Sequence, residues 1–289
     1  MKYTIELRRI RDFGEIINDT FTFLKQNFKP LFSSLFLICG FFILAGTVAT
    51  SFSQISIHDI GSGGATEYDS NLTTGIGIIA GGFITVLGQF FIYLSTLCFV
   101  AVYNEKKGEK ITVQDVWGYF KYYFFRSLWS GFLLILLACV GFVFCIIPGI
   151  YLFNVFYLVL PIMVMENASF NYSFNKSFKL IKDYWWTIFG IIFVCSIIVS
   201  VGSSIVTVPL TLMSGLRLFI KFKYISWPII IFLSMLQNIL MLSYTIPTIA
   251  IALSYFSLQE RKDGTGIMER IEAFGSHADK PDDLPAEQY

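Results

Sequence analysis

Three observations predict an all-α, polytopic membrane protein with about six transmembrane helices. Five hydrophobic blocks, Leu31–Phe52, Gly75–Tyr103, Leu128–Met165, Trp186–Met213 and Ser226–Leu258, contain no Lys, Arg, Asp, Glu or His. Hydrophobic residues make up 55% and aromatic residues 18% of the 289 residues, more than a water-soluble domain carries. The 21 basic and 20 acidic side chains are confined to the segments between and outside the blocks. That exclusion has a physical cause, since a charge at mid-bilayer costs roughly 2.5–3.5 kcal/mol on insertion scales.

Leu31–Phe52 and Gly75–Tyr103 each match one crossing of a hydrocarbon core, which takes about 20 apolar residues. Leu128–Met165 is too long for one. It contains Pro148, which removes a backbone donor, and Gly149, which permits a tight reversal. The block therefore reads as two helices, Leu128–Ile147 and Ile150–Met165, the second short for a full span. Trp186–Met213 and Ser226–Leu258 complete six, with Pro209, Pro228 and Pro247 as kinks or ends.

Charge sets the orientation. With the N-terminus inside, all but three of the 21 Lys and Arg residues fall on the cytoplasmic side; the exceptions are Arg217, Lys221 and Lys223. The 53–74 loop has no Lys or Arg and suits the outer face. The resulting expectation is a multi-pass membrane protein with both termini cytoplasmic. It divides into a cytoplasmic segment 1–30, a transmembrane domain 31–258 and a tail 259–289 that is disordered towards its Pro281 and Pro285 end. The mixed polar residues before Leu31 are more numerous than in a short basic leader, so the first block is expected to remain as an anchor.

An internal repeat organises the chain. Aligning Asn18–Phe36 with Asn175–Phe193 gives identities at Asn18/Asn175, Phe21/Phe178, Lys25/Lys182, Phe32/Phe189 and Phe36/Phe193, with Thr20/Ser177 conservative. Apolar stripes at helical spacing, Phe13, Ile17, Phe21, Leu24, Phe28 and Phe170, Phe174, Phe178, Ile181, Trp185, run into the following spans. A weaker third copy is Val113, Trp117, Phe120, Phe124, with Lys121 in the place of Lys25. The unit is an amphipathic helix plus a transmembrane hairpin, repeated three times, with cytoplasmic amphipathic helices also near 112–126 and 169–185. Asp12 with Glu15, and Thr112 with Asp115, are start signals. Phe21, Lys25, Phe28, Trp117, Lys121, Phe178, Lys182 and Trp185 are the expected contacts with the headgroup layer.

The inventory for catalysis is thin. The two histidines, His58 and His277, lie far apart in the topology, and Gly61, Gly63 and Gly64 have neither the spacing nor the following helix of a phosphate loop. All five cysteines sit inside hydrophobic blocks without metal spacing. No catalytic, cofactor or metal site is expected, and no nucleic-acid binding, because no basic run sits in a domain outside the membrane. Ser196, Ser200, Ser203, Thr207 and Thr211 share one face of the fifth helix, and Gln89, Asn154, Gln237 and Asn238 are amides in other spans. Such residues either line a polar passage or allow close helix packing, and Gly77, Gly81, Thr85 and Gly88 form a similar small face. Packing is the favoured reading. Glu166, which ends a helix, is expected to cap the next one or pair with Lys176.

The segments Pro161–Glu166, Asn175–Lys182 and Trp185–Gly190, with the opening Phe13–Phe28, resemble a broad bacterial family that includes the membrane domain found beside some glycerophosphoryl diester phosphodiesterases. The resemblance implies a six-helix membrane protein over most of residues 8–260. The phosphodiesterase activity of that family belongs to a separate soluble barrel, and the residues from Gln259 onward are too few to form one, so that activity is not expected here. The functional expectation is a non-enzymatic scaffold or accessory subunit whose partners are membrane lipids and membrane proteins; the alternative is a permease for a small or amphiphilic solute.

Overall fold

In the computed structural model, residues 5–62, 67–106, 109–144, 146–219 and 227–264 are described, and every element among them is helical. The order is α1 (Phe13–Gln26), α2 (Phe28–Ser62), α3 (Glu67–Lys106), α4 (Val113–Phe144), α5 (Ile146–Met165), α6 (Phe170–Ile181), α7 (Trp185–Phe219), α8 (Trp227–Leu240), a 3-10 turn at Met241–Tyr244 and α9 (Thr245–Asp263). Among the described residues, five stretches are long and apolar enough to cross a membrane: Phe28–Ser53, Gly77–Lys106, Val113–Gly141, Trp185–Leu212 and Pro228–Asp263. The outer surface carries their apolar side chains in the open, with Phe125 78% and Phe41 73% exposed. A bundle that is greasy outside as well as inside is solvated by lipid.

α1 begins where the Glu15 carboxylate accepts the Asp12 backbone N–H at 3.0 Å. Thr112 and Asp115 repeat the device for α4, with the Thr112 N–H donating to Asp115 at 2.8 Å. In α1 the fully buried positions are Ile16, Thr20 and Phe23; in α4 they include Val116, Phe120 and Tyr123; in α6 Ser173, Ser177 and Leu180. All three segments bury the same i, i+4, i+7 set; most stripe residues lie one step round the helix and stay half-buried or exposed, while Phe120 and Ile181 of the stripes are buried. The second segment is not a separate helix: it runs unbroken into its span as the first half of α4, because no helix-stopping residue separates them.

Two boundaries differ from the expected ones, and a third break falls at the kink expected near Pro247. Pro148 and Gly149 do not make the reversal between α4 and α5; they lie in the first turn of α5. At a third helical position the missing proline N–H is one that has no intrahelical acceptor anyway, so proline starts the helix instead of breaking it. α5 is thereby 20 residues long, roughly 30 Å at 1.5 Å per residue. The 53–74 connection is largely helical, as α2 continues to Ser62 and α3 starts at Glu67, with no proline to stop either. The sixth span is broken by the 3-10 turn at 241–244, one turn before Pro247, whose ring cannot be reconciled with a regular helix at Ser243. Lys221, Lys223 and the tail beyond Gly264 lie outside the described residues.

Small residues bring the helices together, as the packing reading expects. The positions where Gly77, Gly81 and Gly88 would carry a Cβ lie against Phe52, Ala49 with Ser53, and Phe42 of α2. The tightest approach is at Gly46, where a Cβ would come within 2.4 Å of the Asn238 Oδ1 of α8. Asn238 is buried and donates to Ser234 O at 2.8 Å and Thr50 Oγ1 at 3.2 Å, so it has little room to retreat. Gly46→Ala is expected to cost about 2 kcal/mol through overpacking. Adding Asn238→Ala should recover part of that loss, read as the coupling in a double-mutant cycle of detergent unfolding midpoints; strict additivity would refute the contact.

Candidate functional site

Two arrangements stand out, one at the charged end of the bundle and one at mid-depth. The charged end collects residues 5–19, 103–106, 109–126, 166–182 and 255–262. Arg11 is its anchor. Its side chain is 1% exposed, and its Nε donates to Asp19 at 2.7 Å, Nη1 to the carbonyls of Leu7 at 2.8 Å and Arg9 at 3.2 Å, and Nη2 to the Glu6 carbonyl. The backbone closes the clasp: Arg11 N–H donates to Ser257 Oγ at 3.0 Å and Arg261 donates to Arg11 O at 2.9 Å. The N-terminal segment is thus fastened to the end of α9.

Glu166 forms the second knot. It accepts a hydrogen bond from Lys176 Nζ at 2.6 Å and another from the hydroxyl of Tyr255 in α9, tying the α5–α6 turn to the last helix. The Lys176 partnership is one of the two roles expected for Glu166 from sequence. Burial alone pulls the Lys176 ammonium towards losing its proton, but the hydrogen bond and charge of Glu166, helped by Tyr172, outweigh it and leave its pKa above the ordinary 10.5. The turn itself is shaped by Asn167, which has φ of 49°, a left-handed conformation that asparagine tolerates, while Ala168 N–H donates back to Met163 O at 3.2 Å. Arg126 of α4 holds this turn through Asn167 Oδ1 at 3.2 Å.

The mid-depth feature is an open cavity of about 350 Å³ lined by α3, α4, α5, α7, α9 and the 3-10 turn. It reaches the outside of the bundle beside Val86 and Ile135, both more than half exposed. Its walls are aromatic and aliphatic, and no lining residue is charged. One polar contact braces it. Pro161 lacks an N–H, so the carbonyl of Tyr157, four residues earlier, has no intrahelical donor; the Tyr93 hydroxyl of α3 donates to it at 3.0 Å. Tyr93→Phe should therefore lower stability by about 1–2 kcal/mol, leaving that carbonyl unpaired. Restoring the backbone donor with Pro161→Ala in the same chain should recover the loss, and failure to do so in unfolding midpoints would refute the account.

The candidate polar-face and interface residues all lie among the described residues. Ser196 lines the cavity. Ser200 and Thr211 are exposed, and Ser203 and Thr207 partly so, on the outer side of α7. Their hydroxyls turn back onto their own helix, Ser203 to Ser200 O at 3.1 Å, Thr207 to Ser203 O at 3.2 Å and Thr211 to Thr207 O at 2.9 Å. Of the amides, Gln89 lines the cavity, Asn238 bridges α8 and α2, and Asn154 is buried with its Nδ2 unpartnered among the described residues. Phe21 and Phe178 are half-buried, while Lys25, Lys182 and Phe28 are exposed. Lys121 places its ammonium 5.3 Å from the centre of the exposed Trp117 ring. Trp185 stacks on Tyr151 and donates to its carbonyl at 3.4 Å. Cys39, Cys98 and Cys195 are buried as expected, but Cys139 is exposed, on the lipid-facing side of α4.

Neither Arg11 nor Tyr255 was singled out from the sequence. A lone Arg before a helix and a Tyr inside a hydrophobic block carry no local signal of a partner some 90 to 250 positions away. Compared with known proteins, the chain matches no family model, no curated protein and no solved structure.

Proposed function

We propose that this chain is a non-enzymatic scaffold or accessory subunit of the bacterial inner membrane, with both termini in the cytoplasm and its charged end in the headgroup layer. The observation that carries this reading is the use made of the charged groups. Arg11, Asp19, Glu166, Lys176 and Arg261 hold chain segments to one another, which makes the charged end a rigid platform. Around it, the half-exposed aromatics and exposed Lys25, Lys121 and Lys182 suit contact with anionic lipid and with neighbouring proteins. The resemblance to the membrane domain found beside phosphodiesterases supports the same reading, as a module that accompanies other domains. Purification in mild detergent with identification of co-purifying proteins tests it. A stoichiometric partner lost on Trp117→Ala with Lys121→Ala is the expected result; a chain that carries only lipid overturns it. Reporter fusions at Lys2 and Tyr289 should both report the cytoplasm.

A second reading, a permease for a small or amphiphilic solute, is favoured by the cavity and by Ser196 on its wall. Uptake that survives Ser196→Ala, Ser200→Ala, Ser203→Ala and Thr207→Ala together would count against a route along that face.

A further inference from the structure

We propose that the mid-depth cavity is a binding site for an uncharged, flat lipophile bearing carbonyl acceptors, the chemistry of an isoprenoid quinone. The inference requires neither partner binding nor transport, since occupancy alone satisfies it.

Four features point to this occupant. First, the volume of about 350 Å³ falls at the lower end of the roughly 300–1,000 Å³ of small-molecule sites, and the opening beside Val86 and Ile135 leads into the hydrocarbon layer, where a long tail can continue. Second, the lining has no charged residue, which excludes a phosphate or carboxylate headgroup at this depth, because a buried anion needs a counter-charge. Third, hydrogen-bonding capacity remains. Tyr93 and Thr248 are committed to backbone carbonyls, but Gln89, Tyr157, Ser196 and Tyr244 also line the cavity and, among the described residues, their side chains have no hydrogen-bond partner. Their amide and hydroxyl hydrogens suit carbonyl oxygens, and the walls given by Phe90, Phe153 and Phe156 suit a flat ring.

Fourth, the backbone is irregular where the cavity is. The 3-10 turn ends at Tyr244, Pro247 follows it, and Pro161 frees the Tyr157 carbonyl; Tyr244, Pro247 and Tyr157 are all lining residues. Non-helical backbone at membrane depth persists where it is buried in protein or lines a cavity, and interrupted spans in membrane proteins gather at ligand sites.

The test uses the full chain in nanodiscs of phosphatidylethanolamine and phosphatidylglycerol, doped with a menaquinone analogue carrying a photoreactive group on its ring. Adducts are mapped by peptide mass spectrometry. The expected result is labelling concentrated in 86–93, 131–138 and 153–160, competed by unlabelled menaquinone. Ala138→Phe, which fills the cavity, should cut labelling about tenfold, and Gln89→Leu with Tyr157→Phe about fivefold, with elution profile and helicity unchanged. Should Ala138→Phe fail to fold, the second variant decides alone. Labelling spread over outward positions such as Phe125 and Leu212, labelling indifferent to both variants, or equal labelling by a photoreactive hydrocarbon without carbonyls overturns the proposal.

Discussion

Arg11→Ala is expected to lower stability by about 3–5 kcal/mol, the scale for removing one partner of a buried, hydrogen-bonded ion pair. The guanidinium spends its donors on the Asp19 carboxylate and on three carbonyls of its own loop. Without it those acceptors are stranded at a site where the side chain has 1% of its surface exposed, and the loop loses the shape that presents the Arg11 N–H to Ser257. Arg11→Lys keeps the charge but has no planar fork, so one ammonium cannot satisfy the same set; about half of the loss should remain. The unfolding midpoint of detergent-purified protein measures both, and protease sensitivity of residues 5–12 should rise with the loss. A midpoint unchanged in Arg11→Ala would show that the N-terminal segment is not held in this way.

The second large effect is expected at Glu166. Glu166→Ala strips the shared acceptor from Lys176 and Tyr255, leaving an ammonium and a hydroxyl unmatched in a region where the pair's side chains are each only 18% exposed. About 3 kcal/mol is expected, the low end of the buried-pair range because the pair keeps some water. Glu166→Gln still accepts from Tyr255 and should lose less. The pH dependence has a definite sign. Lys176 has a raised pKa in the folded state, so its contribution is complete below about 10.5 and is lost as pH climbs through the folded value. The advantage of wild type over Glu166→Gln should therefore be constant on the Lys176 side from neutral pH to about 10 and shrink above it. An advantage that grows in that alkaline range would contradict the ion pair.

The transmembrane blocks were legible because the relevant energy is large and one-dimensional: each charge excluded from lipid leaves its mark in the sequence wherever the chain folds. The pairing of Glu166 with Lys176 was legible too, since both lie beside one helix boundary. Less was visible where a residue has two local solutions. Pro148 ends a helix in one context and begins one in another, and only the position of the preceding turn decides. Hydroxyl residues such as Ser200 and Thr207 line a polar passage or bond to their own backbone, and the alternating face of α7 is compatible with both. In α1 and α6 the large aromatics mark the more hydrophobic side, yet the faces turned into the bundle carry Thr20 and Ser177, small enough for close approach. The cavity depends on six separate elements converging, and nothing in any one of them announces it.

The clasp between Arg11 and the end of α9 has a consequence for biogenesis. Its two halves are 246 residues apart, so at roughly 5–20 residues per second the segment that leaves the ribosome first waits some 12 to 50 seconds for the one that completes it. Throughout that interval the nascent chain holds several inserted spans whose inward faces lack their central neighbour, α9. Assembly is therefore a closing event that follows synthesis, and a ribosome stalled before Ser257 strands an open bundle for membrane quality control to remove.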